Sequence, residues 1–268
     1  MELNHLVVTD APRASATVVL LRDDRGAGLE VLLLRRHSAS AVLGGAYVFP
    51  GGKLDDGDAH SPWHARLADR AAALHAALGE AELSEREALS LYVAASREMQ
   101  EECGVTLAPD QLQPWTRWIT PVQPSVTNRR FDTRFFIARL PAGQEPRHDD
   151  VEATDTVWAT PEQALARYWR GEMSLAPPQI MTLAGLSVLS SVAEAQAQAG
   201  QRRPPRILPE PFDDAQGVRT LCYPGDPRHS QAQRAMRGPT RLRFVDGRFE
   251  PDGGLDALIR PPCADPLP

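Results

Sequence analysis

The sequence predicts an α/β protein, and three observations carry that reading. Two apolar runs near the start, Ala14–Leu21 (ASATVVLL) and Leu29–Leu34 (LEVLLL), are rich in Val and Leu and are separated by RDDRGAG, whose Asp and Gly residues favour a turn. Between Glu85 and Cys103, apolar or small residues recur at Ala88, Leu91, Ala94, Ala95 and Met99. That spacing of three to four gives one apolar helical stripe, and Gly104 supplies a helix end. Later segments alternate strand-like with helix-like patterns.

The elements follow in order. The two apolar runs are predicted to form a hairpin of sheet strands. RRHSASAVLGGAYVFPGG comes next, where Gly44, Gly45, Gly51 and Gly52 allow backbone paths that side chains would block, and Tyr47–Phe49 can make a short strand. From His60 to about Ser84 the composition turns to alanine, histidine and charge, with leucines on one helical face, which predicts an inserted, mostly helical excursion. After the 85–103 helix, WTRWITP reads as a strand entering a loop, and Arg129–Leu140 as a strand alternating between core and polar edge. PAGQEPRHDDVEAT is a turn-rich connection. A short strand then reaches Trp158, and a helix starts at Thr160 with Pro161 in its first turn and ends at Gly171. Gln179 to about Gln198 offers one further helix. Residues 199–268 are rich in Pro and Gly, with strand-like pieces at Arg219–Tyr223 and Arg241–Phe249, and read as an extension packed on a domain spanning 1–198.

Composition narrows the classes. A chain of 268 residues can hold one well-buried core with a substantial insertion. With 29 Lys plus Arg against 35 Asp plus Glu, and a formal charge of -6, no overall positive field gathers a nucleic-acid polymer or an anionic membrane. Cys103, Cys222 and Cys263 lack metal-ligand spacing and cannot all pair internally, which suits a reducing compartment. The N-terminus lacks a basic region followed by a long apolar core, and no stretch reaches 18 apolar residues, so a cytoplasmic location is expected.

The chemistry concentrates in FPGGKLDDGD (Phe49–Asp58) and REMQEECGV (Arg97–Val105). Glu98, Glu101 and Glu102 stand at i, i+3 and i+4, so their carboxylates project from one helical face. Crowded negative charges repel unless water screens them or cations bind them. Hard divalent cations take oxygen ligands, and Mg2+ commonly combines one or two carboxylates with water and substrate phosphates. A carbonyl at the tight glycine turn could add a further oxygen, and Asp55 or Asp58 could orient Arg97 through a carboxylate–guanidinium pair.

These two segments resemble the signature of the Nudix hydrolases, interrupted in the middle. Gly52, then KLDDG, leads to Asp58, where the family usually has glutamate; the pattern resumes at Arg97, Glu98, Met99, Glu101, Glu102, Gly104 and Val105. Between Asp58 and Arg97 lie 38 residues where the family has seven, a length that a loop excursion tolerates at small entropic cost.

The resemblance implies an α/β/α sandwich with a mixed sheet and a helical insertion at about 60–84, inside the signature. It implies Mg2+ or Mn2+ held by Glu98, Glu101 and Glu102 with the Gly51 carbonyl, Arg97 held by Asp58, and structural roles for Gly52 and Gly104. The reaction it implies is attack of water on the diphosphate of a small nucleotide conjugate, with Glu101 or Glu102 taking the proton. VLLLRRHSASAVLGGAYVFPGG, WITPVQPSVTNRRFDTRFFIARL, VWATPEQALA and LCYPGDP extend the likeness to the coenzyme A diphosphatase-like branch. That branch splits coenzyme A into 3',5'-ADP and 4'-phosphopantetheine. Arg35, Arg36, Arg129, Arg130 and Arg134 are then the cations available for substrate phosphates. ADP-ribose, a nucleotide sugar or NADH is the alternative substrate class, and a non-catalytic nucleotide sensor the alternative to an enzyme. The insertion is expected to shape a wall of the substrate cleft or a homodimer interface. His37, His64 and His75 are isolated and read as surface or packing residues. Trp115, Trp118 and Trp158 read as core, and Cys103 has no base partner in sequence.

Overall fold

The computed structural model describes residues 3–40, 43–148 and 151–260. The two apolar runs form β1 (Arg13–Asp24) and β2 (Gly28–Arg36), antiparallel, and the turn between them closes where Asp24 accepts hydrogen bonds from the N–H groups of Gly26 and Ala27. Two short strands follow: β3 (Tyr47–Val48) pairs with β2, and β4 (Gly51–Lys53) pairs with β1. The insertion contributes α1 (Trp63–Arg66) and α2 (Ala71–Leu78), shorter helices than its composition predicts.

α3 (Glu85–Cys103) has the predicted bounds because both ends are capped. Ser84 and Glu87 exchange side-chain and backbone hydrogen bonds in a capping box, and Gly104 turns left-handed at φ +67°. Next come β5 (Gln113–Ile119), β6 (Phe131–Arg139) and β7 (Ala153–Ala159), followed by α4 (Pro161–Trp169), α5 (Pro177–Leu186) and α6 (Val192–Gly200).

The sheet runs β3–β2–β1–β6–β5, with β4 also on β1 and β7 also on β2. β1 and β6 are parallel and the other pairs among these strands antiparallel, so the sheet is mixed. Alternation along its strands separates two cores. Val19, Leu21, Val31 and Leu33 face α4, α5 and α6, whereas Val18, Leu20, Leu32 and Leu34 face α2 and α3. The result is the expected three-layer α/β/α sandwich.

Two expectations are corrected. The helix predicted over Gln179–Gln198 is two helices, because Ser191 accepts from the Glu194 N–H while the Glu194 carboxylate accepts from Ser190, a local capping arrangement that restarts the chain as α6. The extension is also richer in strand than predicted. It forms β8 (Arg206–Ile207), parallel to β5 at the end of the main sheet, and then β9 (Glu210–Asp213), β10 (Arg219–Cys222), β11 (Arg241–Val245) and β12 (Arg248–Glu250), an antiparallel sheet of its own, before α7 (Gly254–Ile259). Leu221, Tyr223, Leu242 and Phe249 join the core beneath α4–α6, so burial is continuous across residue 198. Cys222 is buried, and Cys263 lies outside the described residues.

Candidate active site

The last turns of α3 carry Arg97, Glu98, Glu101 and Glu102 up to the backbone of β4. Register explains why that backbone can receive them. The β1–β4 ladder is bridged by the Val18 N–H to the Pro50 carbonyl and the Leu54 N–H to the Ala14 carbonyl, so Gly51, opposite Thr17, falls at a position that makes no ladder bond. Its N–H instead donates to Glu102 Oε2 at 3.0 Å, and its carbonyl likewise stands outside the ladder. At φ +155°, with the Ala16 carbonyl and the Thr17 hydroxyl where a Cβ would go, residue 51 must be glycine. Gly52 is required by the site itself, because a Cβ there would fall on the Glu98 carboxylate.

Asp58 joins the two segments. Buried at 2% exposure, it accepts from Arg97 Nε at 2.9 Å and Nη2 at 3.0 Å, and from the Asp55 N–H at 2.9 Å. The bidentate pair leaves Nη1 of Arg97 to donate to Glu98 (2.9 Å) and Glu101 (2.8 Å), while Nη2 also reaches the Lys53 carbonyl (3.0 Å). The shorter aspartate therefore holds the arginine fully; the short 3-10 turn at Asp58–His60 delivers it. His64 steadies that turn with Nε2 3.0 Å from the Asp58 carbonyl, a structural role.

Electrostatics separates the three glutamates. Burial pushes Glu102 up to about 8, opposed by the Gly51 N–H and Arg36 and reinforced by Glu98 and Glu152. Burial also raises Glu98, against the pull of Arg97. Asp58 in turn holds the Arg97 guanidinium more firmly charged than usual. Glu101 is exposed and turned to Arg97. Among the described residues, no three His, Cys, Asp or Glu side chains converge as a ready-made metal cluster. The site nevertheless fits a hard divalent cation: two desolvated carboxylates and a carbonyl outside the ladder offer only oxygen donors, and the carboxylates are destabilised as anions where they stand.

The five arginines divide. Arg36 is half-buried, donates to Ser40 Oγ at 3.0 Å and is near enough to lower Glu102; Arg35, beside it, is exposed. Arg129 is exposed on the loop before β6, and Arg130 is spent on the Thr120 and Asp10 carbonyls, both at 3.0 Å. Arg134 is corrected. At 4% exposure, its guanidinium is bound by Glu80 (3.0 and 2.5 Å) and the Asp132 carbonyl (3.0 Å), so it anchors the insertion to the sheet and offers no face to a substrate.

On the sheet face opposite α3, a cleft of about 190 Å3 opens beside the same glycine pair, with Thr17, Trp118, Phe131, Phe135, Pro177 and Leu221 among its walls. Thr17 connects the two places, since it faces this cleft and pairs with Gly51. Sequence reasoning missed three residues: Glu152, Glu80 and the cleft residue Gln179. Glu152 and Glu80 sit in segments read as a turn and a helix stop, where acids are ordinarily solvated. Only their long-range partners give them away.

A family model described as NUDT19 Nudix domain matches residues 99–186. Putative nudix hydrolase 7 of Caenorhabditis elegans is 26% identical over 251 residues, covering 89% of this chain and 81% of that one. Acyl-coenzyme A diphosphatase NUDT19 of Xenopus laevis is 26% identical over 233 residues, covering 62% of this chain and 61% of that protein, so this chain spans less than two thirds of that relative's length. Among solved structures, a NUDIX hydrolase from Alicyclobacillus acidocaldarius superposes with a TM-score of 0.55 at 26% identity, over 71% of this chain and 97% of that one.

Proposed function

We propose that this chain, a member of the Nudix hydrolase superfamily, hydrolyses the diphosphate of coenzyme A or an acyl-coenzyme A to 3',5'-ADP and the corresponding 4'-phosphopantetheine, with Mg2+ or Mn2+ as cofactor. The single observation that carries the chemistry is the seating of Glu98 and Glu102 on the Gly51–Gly52 backbone, with Arg97 locked by Asp58. The substrate class is supported by the likeness to proteins named acyl-coenzyme A diphosphatase.

Glu98, Glu102 and the Gly51 carbonyl are the residues that would hold the cation. When bound, it would neutralise the diphosphate and stabilise charge on the leaving phosphate. Arg97 holds Glu98 and, through the Lys53 carbonyl, ties α3 to β4, while the Gly51 N–H holds Glu102. Arg36, facing this side, supplies a cation for a substrate phosphate. The water oxygen forms the new P–O bond as the bridging P–O bond breaks. Its proton passes to an exposed carboxylate beside the pair, and Glu101 and Glu152 are the candidates we favour.

Incubation with Mg2+ and a panel of coenzyme A, acetyl-coenzyme A, ADP-ribose, NADH and UDP-glucose, with products resolved by chromatography, tests the reading. Release of 3',5'-ADP from the first two supports it. Cleavage confined to ADP-ribose, NADH or the nucleotide sugar reassigns the substrate and keeps the chemistry, and absence of turnover across the panel favours a nucleotide sensor.

A further inference from the structure

The cleft beside Thr17 is apolar on most of its walls, yet it holds buried polar atoms that have no hydrogen-bond partner among the described residues. Gln179, in the first turn of α5, is buried at 8% exposure, and its buried side-chain oxygen Oε1 has no hydrogen-bond partner among the described residues. Ser125, from the loop between β5 and β6, is buried at 5% exposure with its Oγ unpartnered. Both residues line the cleft. A buried amide or hydroxyl without a partner loses its hydration and gains nothing in return, so such groups are rare and call for an explanation. A water could satisfy either one, but apart from four threonines the rest of the wall is proline, aromatic and aliphatic, which suits a ligand that is mostly apolar with a few hydrogen-bonding groups.

Position adds the second constraint. Thr17 faces the cleft, and the residue opposite it in the ladder is Gly51, whose N–H holds Glu102. A diphosphate lying at the carboxylates therefore has the Thr17 wall of the cleft one strand away. The cleft also depends on parts of the chain outside the two signature segments: Pro177, Pro178 and Gln179 come from α5, and Pro209 and Leu221 from the extension.

We propose that this cleft receives the non-nucleotide arm of the substrate, and that Gln179 is a specificity-determining residue that selects an aliphatic arm carrying an amide. The Gln179 side chain offers one acceptor oxygen and one donor nitrogen, interchangeable by rotation of the amide, and so can accept from an N–H of the arm or donate to its carbonyl. Ser125 supplies a further hydroxyl. An arm without amides, such as ribose or a hexose, leaves the Gln179 group unpaired and gains nothing from the apolar walls. The inference rests on the diphosphatase reading for the place of the phosphates, but the arm site can be tested without phosphate chemistry.

The probe is pantetheine, which has amides and an aliphatic chain and no phosphate, titrated by calorimetry into the full chain without metal. Coenzyme A and ADP-ribose turnover are measured in parallel. The wild-type protein is expected to bind pantetheine, and Gln179→Met, which keeps shape and removes both hydrogen-bonding ends, to bind it about tenfold more weakly. The same variant should raise KM for coenzyme A by a similar factor with kcat little changed, and should not weaken any ADP-ribose cleavage, because ribose gains no bond from Gln179. Val126→Trp, which adds bulk at the half-buried cleft wall, should weaken pantetheine in the same way, with unchanged melting confirming the fold. Binding of pantetheine that Gln179→Met weakens, in a protein that does not cleave coenzyme A, would support the arm site and overturn the diphosphatase reading. Failure of the wild-type protein to bind pantetheine, or equal binding by Gln179→Met, overturns the arm site even if coenzyme A is cleaved.

Discussion

Arg97 and Asp58, 39 residues apart, form a bidentate ion pair at 2.9 and 3.0 Å that closes the interrupted signature. The carboxylate is buried and the guanidinium half-buried, which makes loss of one partner expensive. Asp58→Ala should destabilise the fold by about 3 kcal/mol, the low end for a broken buried pair because part of Arg97 remains solvated. It should also lower turnover by roughly 10–100-fold, as removal of a residue that orients a ligand does. Urea denaturation and steady-state kinetics read the two effects separately.

Substitution of the two glycines separates stability from activity. Gly52→Ala drives a methyl into the end of the Glu98 side chain, which can swing away, so the melting temperature should change little while activity falls steeply. Gly51→Ala meets the Ala16 carbonyl at a backbone conformation unfavourable to alanine, and both stability and activity should fall. Thermal melts with parallel turnover measurements check the contrast.

The insertion is fixed to the sheet. Glu80 binds Arg134 and also lies 2.7 Å from Arg117, while Leu67, Leu74 and Leu78 are buried in the α3-side core. Glu80→Ala leaves the buried Arg134 with less compensation and should cost about 3–5 kcal/mol. Glu80→Met combined with Arg134→Met should recover much of that loss, because an apolar pair of similar volume needs no desolvated charge. A double-mutant cycle in urea measures it. Replacing residues 60–84 by a short linker should likewise destabilise the protein.

Stability should fall with pH in chelator. Burial pushes Glu102 up to about 8 in the folded chain from the ordinary glutamate value of 4.5, so the folded state binds the extra proton between those values. Its contribution is therefore greatest below about pH 4.5 and is lost as pH rises through 8. Glu102→Gln should flatten that part of the profile. Added Mg2+ should raise the wild-type midpoint more at pH 8 than at pH 6, since cation and proton compete for the same oxygens. Urea midpoints across pH, with and without Mg2+, supply the comparison.

Much of this was legible in the chain because it is local. The stripe from Ala88 to Met99 and Gly104 fix α3 and, with it, the common face of its glutamates, and the structure adds the capping pair at Ser84 and Glu87. The sequence offers Asp55 or Asp58 as the partner of Arg97, the resemblance implies Asp58, and Asp58 is the one that makes the bidentate pair. What stayed hidden depends on long-range partners: Arg134 reads as a strand-edge cation until Glu80 folds over it, and Gln179 reads as a helix polar residue until α5 and the extension wall in the cleft. The break before α6 had a local signal, Ser191 three residues ahead of Glu194, that the reading of one long helix passed over.

The most direct test of the central claim is single-turnover cleavage of coenzyme A by the wild-type protein, Glu98→Gln and Glu102→Gln, across a Mg2+ titration. Formation of 3',5'-ADP that requires Mg2+ and drops about 100-fold or more in each folded variant is the predicted result. Cleavage at wild-type rate by either variant would contradict the assignment of these two carboxylates to the reaction.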